Sequence, residues 1–235
     1  MRFEKIRLYI STPRIGRYLQ ATGNNKSKAT RLYKANLKIS QAFLPVIAIL
    51  EVTLRNRINT ILTAHFSDSD WIINQKNGFM VDPSLTHTDK RTGRNITNRY
   101  LKTEVEKAEK RIQKSGVVVT SGKIISEQTF GFWTDLYEVH HYKILLGRPI
   151  QIFTNLPSGH GRKEVNETLN KIRLFRNRLY HNEPVCFNGG TTNFQNAEDV
   201  HNLILSALSW IDSDLVKWIK NIDEVEKHIN RAKKI

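Results

Sequence analysis

Arg176, Asn177 and His181, in the stretch RLFRNRLYHNEPVCF (173–187), have the residue types and spacing for chemistry on RNA. RNA carries its own nucleophile, the 2′-hydroxyl. A protein that cleaves it by that route needs a group to move protons and a cation to stabilise the charge that builds on the phosphorane. Histidine titrates near neutral pH and suits the first task. Arginine stays charged and presents a planar fork to phosphate oxygens, which suits the second. The Asn177 amide can orient the imidazole or a phosphate oxygen, and Arg178 and Tyr180 are candidate RNA contacts beside it. Such a reaction leaves a 2′,3′-cyclic phosphate and a 5′-hydroxyl and uses no metal or other cofactor.

A helix must position these groups. Glu164 to Tyr180 contains no Gly or Pro, and Val165, Leu169, Ile172, Phe175 and Leu179 recur three or four residues apart. Pro184 disfavours the α conformation at Glu183, so the helix is expected to end near His181 or Asn182. Asn177 and His181 are then neighbours on one face, with Arg176 on its flank and Tyr180 one turn beyond Arg176. The spacing alone is a loose motif. The plain alternative is a solvated helix end whose histidine caps a carbonyl.

Three ordered stretches carry a resemblance beyond the spacing. RLFRNRLYHNEP resembles the Arg-Asn-x-x-x-His signature, followed by Glu-Pro, of HEPN-domain ribonucleases, in particular the Abi-like family of bacterial abortive-infection proteins. RLYKANLKISQAFLPVIAILEVTLRNRI (31–58) is similar to the long first helix of that family, with its Tyr, Asn and Glu-x-x-x-Arg-Asn landmarks, here Glu51, Arg55 and Asn56. FGFWTDL (130–136) is similar to its middle motif. The resemblance implies an all-α, HEPN-like helical bundle, a homodimer in which two motifs face one cleft, and ribonuclease activity in antiphage defence. It makes Arg176, Asn177 and His181 catalytic, with Glu51, Arg55 and Asn56 in support. Arg55-Asn56 is not a second catalytic motif, because position 60 is Thr rather than His.

Composition agrees with a polyanion partner. At 235 residues, 39% hydrophobic and 25% charged, the chain is long enough to bury a sizeable core. Its formal charge of +15 favours RNA, DNA or an acidic surface. Residues 1–25 form a basic helical extension. Arg14 and Arg17 there, with Lys28 and Arg31 just beyond, are candidate RNA-backbone contacts. A single cysteine, Cys186, excludes an internal disulfide framework and a cysteine-rich zinc site. His140 and His141 are adjacent and diverge by about 100 degrees on a helix, so they do not chelate one ion. Asp68 and Asp70 read as helix caps rather than metal ligands. No secretory signal is evident, and the apolar run from Ala42 to Leu50 is too short to span a bilayer. A cytoplasmic protein with no membrane partner is expected.

The remaining elements follow from pattern. One domain over 1–235 is expected, with a long helix from Ser27 to about Thr63 kinked at Pro45. A long loop insertion over 64–94 carries a short helix near Trp71. A helix over 95–114 follows, then strand-like residues 117–120, which also suit a plain extended connector. Ser126 reads as the N-cap of a helix through Leu146, residues 147–161 as a loop, and 197–221 as a further helix before a charged final one. The alternative function is a non-catalytic RNA-binding protein complexed with a structured small non-coding RNA. A DNA-binding regulator is a third reading.

Overall fold

The chain is all-α. A computed structural model describes residues 2–88 and 91–235. Among the described residues, twelve α-helices run in order. They are α1 (Phe3–Ile10), α2 (Thr12–Ala21), α3 (Lys26–Phe66), α4 (Trp71–Asn74), α5 (Tyr100–Lys114), α6 (Ser121–Glu127), α7 (Phe130–Asp135) and α8 (Val139–Ile144), then α9 (Arg162–Tyr180), α10 (Gln195–Ile211), α11 (Ser213–Ile219) and α12 (Val225–Ala232). Two short antiparallel ladders interrupt them, β1 (Thr86–Thr88) with β2 (Asn95–Thr97) and β3 (Phe187–Asn188) with β4 (Thr191–Thr192).

Local chemistry starts and stops these helices. Pro13 sits in the first turn of α2, where its missing N–H costs nothing. Asn25 caps α3 by accepting from the Lys28 N–H at 3.0 Å. The 41-residue α3 continues through Pro45, which leaves the Gln41 carbonyl without its usual donor. By length and composition alone α3 is apolar enough to cross a membrane, with a window of mean hydropathy 1.6. Its Phe43, Val46, Leu50, Leu54, Ile58 and Leu62 are buried inside the protein.

The chain divides into two compact units, one made of residues 1–50, 174–209 and 213–235, the other of 51–173 and 210–212. The sequence shows no boundary because two of the divisions fall inside α3 and α9, where the apolar pattern runs unbroken. In the first unit Phe43 packs on Phe175, with ring centroids 4.7 Å apart, and meets His201 edge-on. Tyr18 packs edge-on against Tyr33 and Phe187. In the second unit the Trp71 indole donates to Asn59 at 2.8 Å, and the buried Tyr137 hydroxyl donates to the Pro149 carbonyl at 3.0 Å.

Several elements differ from expectation. Within the segment 64–94, residues 71–85 are folded rather than a loop: α4 and three 3-10 turns (Gln75–Asn77, Phe79–Val81 and Pro83–Leu85) follow one another, and Trp71, Ile72, Phe79, Met80 and Leu85 are buried. The turn residues begin those short helices, as where Asp82 accepts from the Ser84 N–H ahead of Pro83–Leu85. Asp89 and Lys90 of this segment lie outside the described residues. Asn95 pairs in β2, and the helix expected from there begins at Tyr100. Residues 117–120 are an extended connector with no ladder. Ser126 lies inside α6 and bonds the Lys123 carbonyl, while Thr120 caps that helix. The helix expected after Ser126 is split, because Glu138 is extended and the Tyr137 side chain turns into the core. The helix expected over 197–221 breaks at Asp212. There the carbonyls of Trp210 and Ile211 accept from the Asn155 N–H and the Thr154 hydroxyl.

His201 Nε2 lies 2.6 Å from the Asp223 carboxylate, and both side chains are nearly buried. Burial pushes the Asp223 carboxyl up, but hydrogen bonds from His201 and the Val225 N–H outweigh it and hold its pKa below the usual value. A carboxyl with a depressed pKa adds stability above its unfolded-state pKa, and that stability is lost as pH falls through the folded-state value. Asp223→Asn is expected to cost about 1–3 kcal/mol at pH 7. The deficit should shrink below about pH 4, where the wild type loses the same contribution. Urea denaturation across pH measures both.

Candidate active site

The last two turns of α9 are anchored from below. Phe175 and Leu179 are buried, while Arg176, Asn177 and Arg178 are half-buried and Tyr180 and His181 are exposed. Asn182 takes a left-handed conformation, φ 54°, which asparagine tolerates better than most residues. The Glu183 N–H then reaches back to the Arg178 carbonyl at 2.8 Å, closing the helix end before Pro184. The His181 N–H donates to the Asn177 carbonyl at 3.0 Å, so the backbone sets these two residues on one face.

The chain after His181 is tied down by three side chains. Buried Asn36 of α3 accepts the Val185 N–H at 2.8 Å. Arg178 donates to the Pro184 carbonyl at 2.6 Å and lies 3.3 Å from the Glu183 carboxylate. Arg17 lies over the Phe187 ring at 4.6 Å and donates to the Gly189 carbonyl at 2.7 Å. Two arginines expected to contact RNA therefore hold the turn and the β3–β4 hairpin that follow the motif. Arg176 is placed differently: its guanidinium carbon stands 3.9 Å over the Tyr180 ring.

Cys186 has no nucleophilic part at neutral pH. It is fully buried, and that burial pushes its thiol up to about 12.

The remaining candidates are distributed as follows. Arg14, Lys28 and Arg31 are exposed on α2 and α3, and Lys28 lines a cavity of about 630 Å³ with Phe194, Glu198 and Lys233. Glu51 and Arg55 are half-buried on α3 in the second unit, and Asn56 is exposed there, its carbonyl accepting from the Thr60 hydroxyl. Among the described residues no group of three His, Cys, Asp or Glu side chains could hold a metal ion. His140 is exposed, while His141 is buried with Nδ1 2.8 Å from the Asp135 carboxylate.

Sequence reasoning missed the role of Asn36. Its signal was a lone polar residue in step with Leu32, Ile39 and Phe43 on the buried face of α3. Such a residue needs a partner, because a buried amide without one is costly.

No protein-family model, curated protein or solved structure matches this chain. What the structure defines is an all-α protein with an Arg-Asn-x-x-x-His motif at the exposed end of a long helix.

Asn36→Ala leaves the buried Val185 N–H unpaired and is expected to cost about 1–3 kcal/mol. It should also speed amide exchange at Val185, measured by hydrogen exchange. The Cys186 thiol is expected to stay inert to a disulfide reagent in the native state and to react stoichiometrically in urea.

Proposed function

We propose that this protein is a metal-independent endoribonuclease of the HEPN type, acting in the cytoplasm in abortive-infection defence against phage. The observation that carries this reading is the placement of Arg176, Asn177 and His181 together at the exposed end of α9, with the Arg176 guanidinium stacked on a neighbouring ring. In this reading Arg176 binds the scissile phosphate and offsets the charge of the phosphorane. His181 moves a proton, as base for the 2′-hydroxyl or as acid for the leaving oxygen. The 2′-oxygen bonds to phosphorus, the bond from phosphorus to the 5′-oxygen breaks, and that oxygen leaves as a hydroxyl. Asn177 orients the phosphate or the imidazole. One motif per chain supplies one histidine, so a homodimer that faces two motifs would provide both the acid and the base.

A second reading has its own observation. Arg14, Lys28 and Arg31 stand exposed on the same unit as the motif, and such cations fit a non-catalytic protein that binds a structured small RNA through its backbone.

Cleavage of labelled RNA in EDTA separates the two. The nuclease reading expects cyclic-phosphate ends and a loss of about 10²–10⁴-fold in rate for His181→Ala, with RNA binding retained. Arg176→Ala is expected to lose a comparable factor and to bind RNA more weakly. Wild-type protein that binds RNA without cutting it, at any protein concentration and with His181→Ala indistinguishable from it, supports the binding reading.

A further inference from the structure

We propose that Tyr180 is a two-faced platform. One ring face orients the Arg176 guanidinium, and the other stacks on the base of the nucleotide whose phosphate Arg176 binds, giving the site a preference for purines there. The assignment of that phosphate as the scissile one rests on the nuclease reading; the stacking does not.

The two side chains are one helical turn apart, the spacing at which side chains meet on a helix. The guanidinium stands 3.9 Å over the ring centroid, within contact distance of one face. Tyr180 is nonetheless 58% exposed, so its other face is open to solvent. The second arginine–aromatic pair in this unit shows the contrast. Arg17 covers Phe187, but that ring is buried and packed on Tyr18, and Arg17 also bonds the Gly189 carbonyl. Phe187 has no face left to offer a ligand, and Tyr180 does.

The ligand follows from the chemistry of the pair. A guanidinium binds a phosphate in its plane, and an open aromatic face binds a base by stacking. In RNA a base and its phosphate are joined through one ribose. A cation and a ring held in contact therefore address a single nucleotide. Stacking tolerates any base, but a purine covers more of the ring than a pyrimidine does. Leu174, also exposed on α9, offers no such face. Tyr180 is a positioning residue for Arg176 and a specificity residue for the substrate.

The test uses the full chain and short oligoribonucleotides carrying one 2-aminopurine, stepped through successive positions, with 2′-O-methyl groups throughout so that no cleavage occurs. Wild type and Tyr180→Phe are expected to quench the fluorophore on binding. Tyr180→Leu, which keeps the helix and changes only an exposed side chain, should bind about tenfold more weakly and lose the quench. Equal affinity and quench in Tyr180→Leu would overturn the platform, as would failure of the wild type to bind. Cleavable versions then separate the two proposals. Wild-type cleavage that favours purine sites, with the preference lost in Tyr180→Leu, supports both. Tyr180-dependent quenching without wild-type cleavage keeps the platform and rejects the nuclease. Cleavage with unchanged kcat/KM and base preference in Tyr180→Leu keeps the nuclease and rejects the platform.

Discussion

The hydrogen bond from the Val185 N–H to the Asn36 side chain holds the end of α9 in place. It is buried, so neither partner can exchange it for water without opening the core. It ties the middle of α3's first half to the residue just past Pro184, and so sets where the chain goes once the helix has ended. The other contacts of this segment depend on that direction. Arg178 reaches the Pro184 carbonyl, Cys186 is buried beside Tyr18, and Arg17 covers Phe187. His181, five residues past Arg176, is exposed because the chain turns inward only after it.

Charge divides into two kinds of work. Thirty-seven Lys and Arg side chains against 22 carboxylates leave a large excess that surface ion pairs cannot neutralise. Some cations are spent on structure: Arg17 and Arg178 on the hairpin and the turn, and Lys26 on Glu4. These fix local geometry, and an exposed pair such as Lys26–Glu4 adds little stability. Others, among them Arg14, Lys28 and Arg31, stand exposed on the same unit as the motif. Exposed cations attract a polyanion at range, while the orientation of a phosphate at one point needs a guanidinium that is itself held. Arg176 on Tyr180 has that property.

The second unit shows how turn-rich sequence can build a packed layer. Residues 71–85 carry Gly78 and Pro83 among Trp71, Ile72, Phe79, Met80 and Leu85. The 3-10 turns are too short to show a helical period, yet Phe79–Val81 puts Phe79 and Met80 into the core and Pro83–Leu85 puts Leu85 there. The same limit explains the split of 126–146 into α6, α7 and α8. The run of helix-forming residues is real, but Glu138 is extended where the buried Tyr137 hydroxyl bonds the Pro149 carbonyl, a partner the run itself does not reveal.

The sequence by itself determined the long elements and the candidate motif. The apolar stripes of α3, α5 and α9 are periodic over many turns, and burial follows period when a helix is long enough for the pattern to be unambiguous. Pro184 placed the end of α9 to within about two residues, because a proline constrains the residue before it whatever surrounds the chain. Only tertiary structure decided the rest. The partner of Asn36, the use of Arg17 as a strut, and the break at Asp212 all depend on groups far away in sequence, which no local pattern encodes. The division into two units inside continuous helices is likewise invisible to composition. The stack of Arg176 on Tyr180 lies between these cases: helical spacing permits it, and only the fold, by leaving the ring exposed, gives it an open face.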